Sequence, residues 1–315
     1  MKHLSIKITI IVLLLLSIVC GIMISGDWQC GLPAGVLLDF RCNRVFAAVL
    51  VGGSLSLAGM LFQQIFANVL VSPYTLGISS GASVGCALVF LLGLQHLVWS
   101  VNIGAFAGAV LTLLLVLMIS GGGRGSGNRL LLSGVIVATV ISSLLVYIIS
   151  VADVRELAGI SFWMLGDLQA VNRQALVFAA VAAVIFIAVA RYFANDLNAM
   201  ALGDEWALSL GVRVGMVRVV ILVVSALMVS VCVSLAGVIG FVGLIVPHSV
   251  RIMLKNNIRE TLIWHFLAGS LFLTVCDFFC CRIDPVRQIP VGVITSFAGG
   301  ICFCILLNLY RSKTP

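Results

Sequence analysis

The sequence predicts an all-α, polytopic membrane protein with about ten transmembrane helices in a single permease-like domain covering residues 1–315. Three observations carry that expectation. Of 315 residues, 62% are hydrophobic and only 9% are charged, against about a quarter charged in soluble globular chains. The apolar residues fall in runs of about 20, the length a helix needs to cross the hydrocarbon core with its backbone groups satisfied internally. The charges collect between those runs.

In chain order, the run 5–25 follows Lys2, His3 and Lys7. Its basic start resembles a signal peptide, but no small-residue cleavage site introduces a soluble domain, so it is read as a first span that stays. The second run, 45–66, comes after Arg41 and Arg44. The third, 74–94, opens in Ser72–Gly85, dense in the small residues that let membrane helices approach closely. Runs 98–119 and 130–150 flank Arg124 and Arg129, and 172–192 is bounded by Arg173 and Arg191. Run 215–235 starts beside Arg213 and Arg218, and 238–254 ends at Arg251 and Lys255. Run 261–281 lies between Arg259 and Arg282, and 290–309 precedes Arg311 and Lys313. The short run Phe162–Leu168 suggests a lip helix outside the bilayer.

With the N-terminus in the cytoplasm, the basic residues divide 12 inside to 6 outside, and every lysine is inside. The inside set is Lys2, Lys7, Arg124, Arg129, Arg191, Arg213, Arg218, Arg251, Lys255, Arg259, Arg311 and Lys313; the outside set is Arg41, Arg44, Arg155, Arg173, Arg282 and Arg287. This bias supports an even number of spans with both termini cytoplasmic. The net charge of +7 is accounted for by orientation; the basic residues form no cluster or stripe of the kind that binds nucleic acid.

One polar segment interrupts the apolar pattern: Leu202-Gly203-Asp204-Glu205-Trp206-Ala207-Leu208-Ser209-Leu210-Gly211-Val212-Arg213. It is too short to cross a bilayer. Asp204 and Glu205 would occupy the first turn of a helix and Arg213 would follow its end, matching the helix dipole. Trp206, Leu208 and Leu210 give it an apolar side, and its acidic start argues against a lipid anchor. It is read as a cytoplasmic helix, 202–213, that docks a soluble subunit.

Other features admit two readings. Gly77–Gly81 and Gly81–Gly85 both match Gly-x-Ser-x-Gly, which fits helix packing or, on Ser79 or Ser83, a hydrolase nucleophile; an elbow needs a preceding strand and a nearby base. Cys30 and Cys42 share a polar loop and would pair in an oxidising compartment. Cys276, Cys280, Cys281, Cys302 and Cys304 suggest buried thiols or a metal site, but only Asp277 joins them, so no metal is expected. Asp277, near the end of a span, is a costly carboxylate whose expected partner is Arg282. Ser56-Leu57-Ala58-Gly59 and Ser234-Leu235-Ala236-Gly237 echo each other, as an inverted repeat or by chance.

The string Ala236-Gly237-Val238-Ile239-Gly240-Phe241-Val242-Gly243-Leu244-Ile245-Val246-Pro247-His248-Ser249-Val250-Arg251 points to a family. With Leu202–Gly211, Ser72–Ala82 and Pro290-Val291-Gly292, it resembles the FecCD-type permeases, the membrane subunits of ATP-driven importers for iron-siderophore complexes, haem and cobalamin. The resemblance runs from Arg41 to Phe303. It implies a cobalamin-permease-like fold in the bacterial cytoplasmic (inner) membrane. It also implies a dimer with a second permease subunit, the same chain or a related one, with the cargo path between them and spans five and ten as its lining. Leu202, Gly203, Asp204, Glu205, Ala207, Leu210 and Gly211 would contact an ATPase subunit. Arg41 and Arg44 match arginines that dock a substrate-binding protein, with anchoring at lipid headgroups as the other reading; a third such arginine corresponds to Arg282, which stands one place beyond the family spacing, where this chain has Cys281. The chain contains no Gly-x-x-x-x-Gly-Lys-Ser/Thr loop, so ATP is expected on the partner subunit and no cofactor here.

Departures from the family pattern include Arg41-Cys42-Asn43-Arg44 for Arg-x-Pro-Arg, Asn68-Val69-Leu70 for Asn-Pro-Leu, and Gln288-Ile289-Pro290-Val291-Gly292 for Glu-Leu-Pro-Val-Gly. They suit a divergent member or one half of a heteromeric pair. A secondary transporter or channel is the rival from another class. It would carry ionisable residues deep in its spans, where none is placed here.

Overall fold

The computed structural model describes residues 2–23, 34–97, 99–121, 127–169, 171–254, 257–283 and 289–311. Among them are thirteen α-helices and no strand. The first five are α1 (Lys2–Met23), α2 (Ala34–Ile65), α3 (Ile78–Leu91), α4 (Ser100–Ser120) and α5 (Gly127–Val151). Then come α6 (Val154–Met164), α7 (Arg173–Tyr192), α8 (Ala194–Met200) and α9 (Asp204–Ser209). The last four are α10 (Val214–Ala236), α11 (Val242–Met253), α12 (Ile258–Ile283) and α13 (Val291–Arg311).

Each of the ten expected spans coincides with a helix. Seven of the helices, among the described residues, are long and apolar enough to cross a membrane: α1, α2, α4, α5, α7, α10 and α12. The third and eighth expected spans are shorter than predicted, because α3 has 14 residues and α11 has 12. Both follow irregular backbone. Gly77 enters α3 at φ 75° and Phe241 enters α11 at φ 67°, left-handed values that a continuous helix does not contain. Irregular backbone at membrane depth survives only when protein covers it. Here the two breaks serve each other: Tyr74 Oη donates to Ile239 O at 2.8 Å. The lip helix is α6, which begins eight residues before the expected Phe162. Glu156 accepts from the Asp153 N–H at 3.0 Å, closing its first turn.

Helix α2 lies at the centre. Between Arg44 and Gln63 it carries no charged residue and is largely buried, as a helix surrounded by other helices must be. It packs on α12, α10, α11 and α7. The Gly-Phe-Val-Gly-Leu-Ile-Val-Pro-His string is explained by one of these contacts. Pro247 has no N–H, which frees the Gly243 carbonyl within α11, and Gly59 of α2 rests against that carbonyl with no room for a Cβ. A Cβ at Gly243 would lie 2.6 Å from Pro73 and 2.8 Å from Leu55 O of α2. Gln63 Nε2 donates to Leu244 O at 3.1 Å. Two of the family segments, Ala236–Arg251 and Ser72–Ala82, therefore meet on α2 as a backbone packing node. Gly59→Val is expected to cost about 3 kcal/mol through forced separation of α2 and α11. It should be read as a collapsed yield of monodisperse protein in mild detergent.

The Gly-x-Ser-x-Gly patterns are likewise packing. A Cβ at Gly81 would lie 2.5 Å from Gly108 O, and Gly85 abuts Gly104 O, so the glycines bring α3 onto α4. Ser83 is buried, and among the described residues no strand precedes either pattern. The Ser-Leu-Ala-Gly echo joins unlike positions. Ser56–Gly59 lies inside α2, whereas Gly237 ends α10 at φ 67°.

Candidate functional site

Two polar groups of residues sit at opposite ends of the helical body. At one end, α8 and α9 follow α7 with only Ala201–Gly203 between them. Gly203 and Gly211 take φ of 115° and 82°, which lets the chain turn sharply on each side of a six-residue helix. Ala207 N–H donates to Gly203 O and Val212 N–H to Ala207 O, so α9 is closed by its own turns. Leu202, Trp206, Leu208 and Leu210 project outward, Trp206 at 69% exposure. Four large apolar side chains on so short a stretch form a patch that invites a partner. Gly203, Asp204, Glu205 and Gly211 are exposed beside them.

Ala207 differs from the sequence expectation. It is fully buried, so it belongs to the anchor that seats the helix on the body and not to the outer face. Asp204 also has an inward role that the sequence did not suggest. Arg218 Nη2 of α10 donates to its two carboxylate oxygens at 2.9 and 2.7 Å. The Arg218 side chain is 9% exposed and the Asp204 side chain 52%. Asp204 thus pins the N-terminus of α9, and Glu205 remains the acidic group on the outward face.

At the other end, α2 begins at Ala34, eleven residues before the predicted start of its span, so Arg41 and Arg44 lie on the helix and not in a loop. Both are buried. Arg44 Nε donates to both oxygens of Asp277 at 2.9 and 3.1 Å, and its Nη2 reaches Oδ1 at 2.8 Å. This fork matches a planar guanidinium to a carboxylate. The partner of Asp277 is therefore Arg44 and not Arg282. Arg282 sits in the last turn of α12 with its side chain turned to solvent. Arg41 Nη1 donates to Ile22 O of α1 at 3.4 Å. Asp167, in an Asx turn closed by the Gln169 N–H at 2.9 Å, adds a second carboxylate near the Arg44–Asp277 pair.

Cys42 lies on α2, and Cys30, its suggested partner, falls outside the described residues, as do Arg124, Lys255, Arg287 and Lys313. Cys276, Cys280 and Cys281 are buried on α12, and Cys302 and Cys304 are exposed on α13. Among the described residues, no three His, Cys, Asp or Glu side chains come together as a metal would require.

Comparison with known proteins places this arrangement. The FecCD transport family matches residues 6–308. The chain is 33% identical over 309 residues to the vitamin B12 import system permease protein BtuC of Salmonella arizonae, covering 96% of this chain and 93% of that one. It is 33% identical over 282 residues to the hemin transport system permease protein HmuU of Yersinia pestis, covering 88% and 84%. A metal-chelate type ABC transporter solved in an inward-facing conformation superposes with a TM-score of 0.88 at 26% identity, over 97% of this chain and 99% of that one.

Proposed function

The chain belongs to the FecCD transport family as a multi-pass permease subunit of an ABC importer, and from that premise we propose that its cargo is a metal chelate of the iron-siderophore type. Haem and cobalamin are the alternatives, each favoured by a relative that carries it. The metal-chelate transporter that superposes over nearly the whole chain supports the broader class.

The observation that carries the coupling reading is the exposed apolar face of α9. A permease without a phosphate loop needs an ATPase on another polypeptide. Leu202, Gly203, Glu205, Leu210 and Gly211, with Trp206 among them, offer that subunit a short amphipathic helix to grip. Asp204 and Ala207 hold the helix in place. Nucleotide-driven closure of the ATPase would move α9 and thereby the path. The path itself runs between two permease subunits, with α5 and α13 as its lining. On α5, Thr139, Ser143, Tyr147 and Ser150 are exposed at helical spacing, a hydroxyl-bearing stripe that suits a path or a partner better than lipid. The membrane is the bacterial cytoplasmic one, with both termini inside.

A substrate-binding protein would dock at the outer end, over Arg41, Arg44 and Arg282. Arg282 is the exposed member and meets a partner's carboxylate first, while Arg44 is already engaged by Asp277. Arg282→Glu is expected to slow association about tenfold at low ionic strength, with the difference from wild type shrinking as salt rises. Surface-immobilised binding protein and detergent-solubilised importer report it directly. The cargo is tested by uptake into vesicles containing the assembled importer, with ferric siderophore, haem and cobalamin offered in competition. Accumulation of iron chelate that neither haem nor cobalamin suppresses supports the proposal, and accumulation of cobalamin or haem alone replaces it.

A further inference from the structure

Helices α2 and α12 run antiparallel and are fastened at four successive levels. At the outer end Arg44 holds Asp277. Further in, Ser270 Oγ donates to Val49 O at 2.7 Å. Next, Gly52 and Gly269 bring the backbones together; a Cβ on Gly52 would lie 2.5 Å from Gly269 O. Then Ser56 Oγ donates to His265 O at 2.7 Å. From Arg44–Asp277 to Gly52–Gly269 to Ser56–His265 the steps are eight and then four residues on both helices, so these three levels share one register, with the Val49–Ser270 bond bridging between them.

At the inner end both helices meet α8. Gln64 Nε2 of α2 donates to Leu197 O at 3.3 Å. Asn198 Nδ2 donates to Asn257 Oδ1 at 3.1 Å, and the Ile258 N–H donates to Asn198 Oδ1 at 2.9 Å. Asn257 Oδ1 also receives the Arg259 N–H at 3.1 Å, so the same oxygen opens α12 and binds α8. From Arg44 to Gln64 the axis of α2 covers about 30 Å, the thickness of the hydrocarbon core.

We infer that α2 and α12 form one rigid post carrying displacement between α8–α9 and the outer arginine cluster, and that Asn198 and Asn257 are the positioning residues that hand it over. The inference rests on the coupling reading of Leu202–Gly211. Interlocked backbones cannot slide past each other without breaking contact along their length, and close-packed elements move as bodies. In lipid no water replaces a broken serine–carbonyl bond, which further resists slippage. Helix α8 reaches α9 through Ala201–Gly203, itself bonded by Leu202 N–H to Ala199 O and Gly203 N–H to Met200 O, both at 3.1 Å. Motion forced on α9 therefore arrives at the inner ends of both helices together. It leaves at Arg44 and Asp277, beneath the surface proposed for the binding protein. Spatial continuity alone does not prove coupling, so the test measures coupling itself.

The experiment compares ATP hydrolysis by the assembled importer in vesicles, with and without loaded binding protein, for wild type, Asn198→Ala and Asn257→Asp. Asn198→Ala removes both bonds to α12. Asn257→Asp keeps the oxygen that accepts from Asn198 and Arg259 and gives up only the exposed Nδ2 bond to Glu260 Oε1 on α12 itself. Asn198→Ala is expected to retain the ATPase subunit and basal hydrolysis while losing stimulation by at least about fivefold, the lower edge of ordinary allosteric coupling. Asn257→Asp should stay within about twofold of wild type. Full stimulation of Asn198→Ala overturns the inference, and so does its loss of the ATPase subunit, which would make Asn198 a mere support for docking. If wild type itself holds no ATPase subunit, the coupling reading fails and the inference with it.

Discussion

Replacing both Trp206 and Leu210 with aspartate is expected to release the ATPase subunit and lower chelate uptake by at least about a hundredfold, while the membrane fold remains intact. Trp206 projects from α9 and Leu210 from the residue that ends it, and both are largely exposed. Large apolar residues at the centre of an interface each contribute about 2 kcal/mol or more, and every 1.4 kcal/mol is about tenfold in affinity. Two losses together therefore remove about three decades of binding before the added charges act. Co-purification of the ATPase through a tag on this chain reports the affinity, and gel filtration in mild detergent reports the fold. Charge reversal separates the two acidic neighbours. Asp204→Lys sets a second cation against Arg218 and dislodges α9, so it should exceed Glu205→Lys in its effect on uptake.

The second large effect lies at the outer end. Asp277→Ala leaves the Arg44 guanidinium buried without its carboxylate and is expected to destabilise the chain by about 3–5 kcal/mol. Arg44→Met combined with Asp277→Leu removes both charges, fills similar volume, and should recover most of that loss. Thermal unfolding of the purified protein in detergent compares them. Equal midpoints for the single and double variants would show that the pair adds little to the packing of α2 on α12.

The spans were legible because each is a run of apolar residues bounded by charge, and lipid permits only helices there. The segment Leu202–Gly211 was legible for the opposite reason, as polar residues stranded between such runs. The shortness of α3 and α11 was less so. Pro73, Gly77 and Gly237 mark the breaks, but hydropathy continues across them and hides the irregular backbone. The Asp153-x-x-Glu156 capping pattern marks the start of α6, whereas hydropathy marks only the apolar run at its far end. Long-range pairs left no local trace. Arg44 and Asp277 are 233 positions apart, and Arg282, five residues from Asp277, was the nearer candidate in sequence. On a helix, however, Arg282 points to solvent while Asp277 faces α2. The double role of the Leu202–Gly211 segment, with Asp204 and Ala207 turned inward and Trp206 outward, depends on where α10 lies and could not be read from the segment alone.

The central claim is that this permease works with a separate ATPase gripping α9. It is tested most directly by purifying the chain from its native membrane in mild detergent and identifying by mass spectrometry what accompanies it. The expected result is an ATPase subunit in about one-to-one ratio, lost from the Trp206→Asp, Leu210→Asp variant. Recovery of the chain alone, under conditions that keep a known importer assembled, would contradict the account.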